Sequence, residues 1–265
     1  QGMMYNKKND YLHMHKSSMR RMEWFAETYL KTKKGCKILD VGSYDVNGCY
    51  KNIFSEKGHL YEGLDMEMGP NVDICPKKAY QWEEVIDDKY DVVISGQALE
   101  HIEFFWVTIA EIVRVTKEGG IICLIAPRGF EEHRYPVDCW RFLTDGMIAV
   151  ARFYDLEILN AHSNAGPTKE EDIWYSKEYA DSMLVAKKNY AGKARICDLG
   201  VYKCKPADHI EISRGMATYE EHMSDKIERD RAEKNEKRIS ENDPNRAGKH
   251  RKCSGNEFLG IGLRS

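Results

Sequence analysis

The chain has no excess of basic charge. Its 265 residues carry 40 Lys and Arg against 43 Asp and Glu, a net charge of −3. A broad nucleic-acid footprint needs a basic face, so no nucleic-acid partner is expected. No apolar run approaches the roughly 18 residues that read as a membrane span. No charged-then-apolar leader with a small-residue cleavage site is visible either. The expected location is therefore cytoplasmic, with no membrane partner. There are eight cysteines but no C-x-x-C pair. They are expected to be reduced and to act as small hydrophobes, with Cys36 and Cys123 inside strands. His13 and His15 stand two apart with no further ligand at zinc spacing, and no metal site is expected. Gln1-Gly2 reads as the remnant of a cleaved expression tag and is set aside.

What is present is a core's worth of apolar residues, 42% of the chain. Met14, Ser18, Met22, Phe25 and Tyr29 recur at helical spacing and predict a helix from Met14 to Leu30. From Cys36 the pattern changes. Short apolar strands are predicted at Cys36–Val41, Leu60–Asp65, Tyr90–Ser95 and Ile121–Ala126. An amphipathic helix is predicted from Ile102 to Thr116, with Ile102, Phe105, Ile109, Ile112 and Val113 inward and Gly119-Gly120 ending it. A helix at 144–152, a strand at Asp155–His162, a loop holding Gly166-Pro167 and a last strand at Ser182–Lys187 follow. Strands alternating with helices imply an α/β, doubly wound, mostly parallel sheet covered on both faces. Residues 216–252 are dense in charge. They read as a solvated helix with a mobile end, or as a helix that packs on a partner subunit.

Four segments carry ligand chemistry. In Ile38-Leu-Asp-Val-Gly-Ser-Tyr-Asp-Val-Asn-Gly48 a strand enters a loop of small residues that would let backbone amides approach a ligand. Tyr44 stands where a dinucleotide fingerprint has its second glycine. Asp40, just before Gly42, suits a cationic ligand better than a diphosphate. Asp65 closes the second strand, where a carboxylate can hold a ribose diol. In Asn71-Val-Asp-Ile74, Asp73 could accept an adenine amino group while Ile74 packs on the ring, or the segment is only a turn. In Ser95-Gly-Gln-Ala-Leu-Glu-His101, Gly96 and Gln97 could line a cofactor slot. His101 either faces the reacting centre or is a structural histidine.

These segments, with Gly119-Gly120 before the next strand, resemble the class I S-adenosylmethionine (SAM)-dependent methyltransferase superfamily over residues 36–188. The motifs "DVGSYDVNG", "GPNVDI", "SGQALEHIE" and "EEHRYPVDCWRF" are similar to those of a bacterial group that modifies sugars, nucleotides or surface polysaccharides. The resemblance implies a seven-stranded Rossmann-like sheet with its last strand antiparallel. It also implies SAM as cofactor, held by Asp40, Gly42, Ser43, Tyr44, Asn47, Gly48, Asp65, Met66, Asp73, Ile74, Gly96 and Gln97. Residues 1–35 would then be an N-terminal helical segment and 189–265 a charged extension.

The segment Glu131–Arg141 follows the strand after which methyltransferases place acceptor-binding groups. Tyr135-Pro136 and Trp140 are expected to bury, and buried polar neighbours then need partners. His133 or Asp138 would be the general base, with His101 in reserve. Arg128, Arg134, Tyr135 and Arg141 would bind the acceptor. Guanidinium groups suit phosphate or carboxylate, so a small anionic, phosphorylated or nucleotide-linked acceptor is expected, in surface polysaccharide or capsule modification. The competing reading of this loop is an internal staple between Arg141 and Asp138. The competing readings of the whole chain are a catalytically idle SAM-fold subunit and, less favoured, a nicotinamide oxidoreductase. A homodimer is compatible with all three. Because the expected sheet closes before the charged extension, truncation near Gly215 should leave a soluble protein that still binds SAM in a calorimetric titration. Loss of folding on truncation would move the domain boundary.

Overall fold

The computed structural model describes residues 16–129, 131–163 and 180–197. Helix α1 (Lys16–Tyr29) leads into strand β1 (Lys37–Val41), helix α2 (Lys51–Ser55) and strand β2 (Leu60–Leu64). Then come β3 (Tyr90–Gly96), α3 (Phe105–Val115), β4 (Thr116–Gly129), α4 (Thr144–Phe153), β5 (Glu157–Ser163) and β6 (Ala180–Lys187). The strands form one sheet in the order β2-β1-β3-β4-β6-β5. The first four are parallel, β6 is antiparallel to β4, and β5 is antiparallel to β6. Among the described residues no helix is long and apolar enough to cross a membrane. His13, His15, Gly166-Pro167 and the charged stretch 216–252 lie outside the described residues.

The described sheet has six strands where seven were expected. Beyond β2 the ladder is reduced to one parallel bridge, Leu64 to Ile74. The residues there explain it. Pro70 and Pro76 lack an amide donor, and Asn71 is left-handed with φ 65°, so no run is long enough to extend a strand. Helix α3 starts at Phe105 rather than Ile102 because Leu99–His101 forms a 3₁₀ turn and Ile102 is extended. It stops at Val115, before the glycines, where the Thr116 hydroxyl turns back to the Ile112 carbonyl at 2.6 Å. Gly119, at φ 76°, then serves the turn that leads into the apolar run of β4.

Alternation along each strand fills two cores. Leu39, Val41, Val93, Ile122, Leu124, Leu184 and Ala186 face Ile109, Ile112 and Val113 of α3 and Met147, Ile148 and Ala151 of α4. Ile38, Val92, Ile94, Cys123, Ile125, Met183 and Val185 face Met22, Phe25 and Ala26 of α1 and Phe54 of α2. Burial on both faces explains why the strands read as continuous apolar runs.

The second core includes a polar layer under α1. Ser17 donates to Asp181 Oδ2 at 2.7 Å, and Ser18 shares a hydrogen bond with the Tyr50 hydroxyl at 2.6 Å. Arg21 is fully buried, its Nε 3.6 Å from Asp181 Oδ2 and its Nη1 3.0 Å from His162 Nε2. Burial, with the Arg21 guanidinium beside it, holds the His162 imidazole down at about 3 from its ordinary 6.5. The unfolded chain therefore binds a proton below 6.5 that the folded chain refuses until about 3. This contribution to stability is complete above pH 6.5 and falls as pH drops toward 3, by up to about 1.4 kcal/mol per pH unit. His162→Gln should flatten that slope. Urea midpoints measured from pH 7 downward for both proteins test it, and parallel curves would refute the assignment.

Candidate active site

Every loop that follows a parallel strand opens at the same edge of the sheet, where ligands of open α/β folds bind. Residues 42–48 follow β1, Asp65 follows β2, residues 97–103 follow β3, and residues 131–143 follow β4.

The loop after β1 is tighter than its small residues suggested. Gly42, at φ 83°, lies so close to Ala98 that an added Cβ would come within 2.3 Å of the alanine Cβ. Its small size serves this packing. The amides of Gly42, Ser43, Tyr44, Asp45 and Gly48 are bonded internally rather than presented to a ligand. Gly42 and Ser43 both donate to the Leu64 carbonyl at 2.9 and 3.2 Å, Asp45 to the Pro70 carbonyl at 3.0 Å, and Gly48 to Asp45 Oδ1 at 2.7 Å. The Tyr44 amide donates to Asp65 Oδ2 at 3.0 Å, and the tyrosine ring lies against Gly69. Asn47 is half-buried in the same loop.

Asp40 is not a strand-end acid facing a slot. Alternation turns it to the α1–α2 side, 2% exposed, where it accepts from the Tyr61 hydroxyl at 2.5 Å. Its Oδ1 has no hydrogen-bond partner, and burial pushes the carboxyl up to about 7 against the pull of Tyr61. Asp65 does stand at the edge. Its Oδ1 accepts from the Met66 amide at 2.7 Å, and Met66 itself is 48% exposed beside it. Asp73 Oδ2 accepts from the Gly63 amide at 2.8 Å, so one oxygen is committed to the margin of β2, and Ile74 is half-buried next to it. Gly96 is small because the Tyr50 ring covers it, with an added Cβ reaching 2.1 Å from Oη. Gln97 does not line a slot. From a left-handed backbone (φ 58°) its amide reaches under α1 to Asp181 Oδ1 at 3.1 Å.

The loop after β4 corrects two expectations. Tyr135 is 63% exposed and Trp140 36%, because Trp140 seals the loop from outside. Its indole donates to the Ile102 and Glu103 carbonyls at 3.1 Å and meets Phe105 edge-on at 5.2 Å. Arg141 grips Asp138 with both terminal nitrogens, at 2.5 and 2.7 Å. Asp138 also accepts from the His133 amide at 2.7 Å. The Arg141 guanidinium, with that amide, holds the Asp138 carboxyl far below the usual carboxylate range. Asp138 is thus a staple rather than a general base, and Arg141 is committed to it. Arg134 pairs at the surface with Glu132 at 2.7 Å, and Arg128 is half-buried at the end of β4.

The two histidines come together. The imidazoles of His101 and His133 meet edge to face with centroids 5.1 Å apart. His101 Nδ1 is 2.6 Å from the Val137 carbonyl, and burial lowers the affinity of its ring for a proton. Beside them is Glu100, which was not singled out from the sequence. Its side chain is 1% exposed, Oε1 lies 3.8 Å from His101 Nε2, and Oε2 has no hydrogen-bond partner. Burial, reinforced by Asp181 and Asp138, pushes this carboxyl up to about 8. Its backbone carbonyl receives the Cys139 and Trp140 amides, which pins the loop to the 3₁₀ turn. An acid set between Leu99 and His101 at a strand's carboxyl end was the available signal. Arg141→Ala would leave the 1%-exposed Asp138 carboxylate without its charged partner. The expected cost is about 2–3 kcal/mol, read as a fall of roughly 4–12 °C in melting temperature. A fall under 2 °C would show the staple to be dispensable.

A family model described as "Methyltransferase domain" matches residues 63–124. No curated protein matches the chain. Among solved structures, the Burkholderia thailandensis 1,6-didemethyltoxoflavin-N1-methyltransferase, with bound 1,6-didemethyltoxoflavin and S-adenosylhomocysteine, is 14% identical. The match covers 70% of this chain and 83% of that one at a TM-score of 0.50. One chain of the complex between the Haloferax volcanii Trm112 methyltransferase activator and a protein described as a methyltransferase is 15% identical. It covers 69% of this chain and 92% of that one, also at 0.50. These two likenesses are of fold. The family match runs from inside β2 to inside β4, so residues 63–124 resemble a methyltransferase domain, and the sheet has the Rossmann-like fold seen in methyltransferases.

Proposed function

We propose that the chain methylates an oxygen or nitrogen of a small, anionic acceptor, phosphorylated or nucleotide-linked, in the modification of a surface polysaccharide or capsule. SAM supplies a methyl group on a sulfonium centre, a strong leaving group. The donor set of the edge fits this cofactor. It offers the Asp65 carboxylate at the end of β2 and apolar Met66 and Ile74 nearby, while most amides of the first loop are already bonded within the protein. A diphosphate would need those amides; a ribose diol and a cation need the acid.

On this reading Asp65 holds the ribose hydroxyls, and the remaining oxygen of Asp73 takes the adenine amino group. Gly42, Ser43, Tyr44, Asn47 and Gly48 shape the wall behind the methionine end. Residues 36–188 form the cofactor-binding domain, with 1–35 an N-terminal helical segment and 189–265 an extension. Methyl transfer needs alignment of the nucleophile and, for a hydroxyl or ammonium acceptor, removal of a proton. That proton is drawn off at the His101–His133 pair. The observation that carries the reading is their meeting, 5.1 Å apart, at the carboxyl edge of a methyltransferase sheet. Tyr135, exposed on the same loop, and Arg128 are the remaining groups proposed to meet the acceptor.

Asp65→Ala should weaken SAM binding about tenfold or more, since a hydrogen bond to a charged group contributes about 1.5–3 kcal/mol. His133→Ala should keep SAM affinity and lose about 10²–10⁴-fold in turnover. Calorimetry with SAM and with NAD, then a screen of nucleotide-linked acceptors with mass detection, tests both. Failure of the folded protein to bind either cofactor would favour an idle subunit.

A further inference from the structure

Of the guanidinium groups expected to meet an anionic acceptor, Arg141 is clamped on Asp138 and Arg134 is paired with Glu132. Beyond Arg128, further positive charge at this edge needs another source. Glu100, His101 and His133 bring one carboxylate oxygen and two imidazole nitrogens within 4.8 Å of one another. We propose that these three side chains hold a divalent transition-metal ion of the zinc type, with its open positions turned toward the acceptor. The identity of the acceptor rests on the methyltransferase reading; the metal site itself does not.

The geometry has the features such a site requires. Zinc takes imidazole nitrogen and carboxylate oxygen at about 2.0–2.2 Å, so neighbouring ligand atoms end about 3.4 Å apart. Glu100 Oε1 and His101 Nε2 start at 3.8 Å. Small side-chain rotations close the set. The second nitrogen of His101 is already directed, with Nδ1 2.6 Å from the Val137 carbonyl, which leaves Nε2 as the ligand atom. Metal-bound histidines are oriented by contacts of this kind. On His133, Nδ1 lies 3.2 Å from the Glu131 carbonyl and 3.5 Å from Asp138 Oδ2, so the stapled carboxylate stands behind the imidazole. An imidazole backed by a carboxylate is a common arrangement around zinc.

Independently of the histidines, Glu100 needs an explanation. A side chain 1% exposed with Oε2 unpartnered is a costly way to place a carboxyl group, since buried polar atoms are normally satisfied. A cation held by both oxygens of the carboxylate would satisfy it. The three residues also grade in exposure, 1% for the Glu100 side chain, 17% for His101 and 38% for His133. The ion would therefore sit at the floor of an opening rather than in a closed structural cage. Three protein ligands with open positions is the pattern of catalytic zinc. With both imidazoles ligating, the ion takes over from a free imidazole as the group that favours the deprotonated acceptor oxygen, and the proton leaves to water.

The test uses full-length protein stripped with a chelator and titrated with Co²⁺ alone, then with Zn²⁺ in calorimetric competition. One equivalent of Co²⁺ should bind with visible absorption from a four- or five-coordinate ion. Glu100→Gln, which keeps size and shape, should weaken binding at least tenfold, as should His133→Ala. Circular dichroism confirms that each variant is folded, and the Gln variant keeps the test valid if the Ala variant is not. Absence of stoichiometric binding overturns the proposal. So does binding that neither substitution weakens, which would move the ion to cysteines. SAM titration of the stripped protein is scored separately. SAM binding without a metal site leaves the methyltransferase reading intact and removes this inference. A metal site that responds to Glu100→Gln without SAM binding does the reverse.

Discussion

A parallel sheet covered on both faces has no side open to water. That constraint organises the rest of the molecule. Along β1, β3 and β4 apolar side chains alternate between two packed layers. Chemistry is left to the ends of the strands, and at the carboxyl end the chain must change direction quickly. Gly42 against Ala98, and Gly96 against Tyr50, are the two contacts that let neighbouring loops approach closely enough to form one edge. Where a charge does enter the interior its behaviour changes. Asp40, one residue short of the edge, has its carboxyl pushed up to about 7 because water cannot reach it.

The same logic separates what could be read in the sequence from what could not. Strand and helix positions were legible because burial on one face or two leaves periods of 2 and 3.6 in the chain. The absence of the seventh strand was not, since Pro70, left-handed Asn71 and Pro76 reduce the chain beyond β2 to one bridge at Ile74. The edge was legible as a set of loops, and Asp65 stands where a strand-closing acid should. The orientation of individual side chains was not legible. Gln97 turns under α1 to Asp181, a partner 84 positions away, and no local pattern encodes that. Arg141 and Asp138, three residues apart, were readable as a staple or as an acceptor clamp. Only the bidentate geometry decides for the staple. Glu100 escaped notice because its surroundings are built by residues 137–141 and by Asp181, all distant in sequence.

Helix α1 is part of this economy rather than an appendage. It covers the second core with Met22, Phe25 and Ala26, and its polar face is satisfied by β5 and β6 through Arg21, Ser17, His162 and Asp181. A buried ion pair contributes little net stability. It does fix which face of the helix meets the sheet. The same layer holds Gln97, so the N-terminal helix and the loop after β3 share hydrogen-bonding groups.

The strand order carries a consequence for how the chain acquires its shape. β1 to β4 are consecutive in sequence and together fill one contiguous part of the sheet, so that part can assemble as the polypeptide emerges. β5 cannot join it, because its partner in the sheet is β6 and not β4. Until β6 has been made, the exposed flank of β4 is an open edge, and an open edge invites pairing with a foreign strand. Because β6 is the last strand of the sheet, it closes that edge and recruits β5 in one event. The interval between synthesis of Gly129 and of Lys187 is therefore the period in which the nascent chain is most exposed to aggregation.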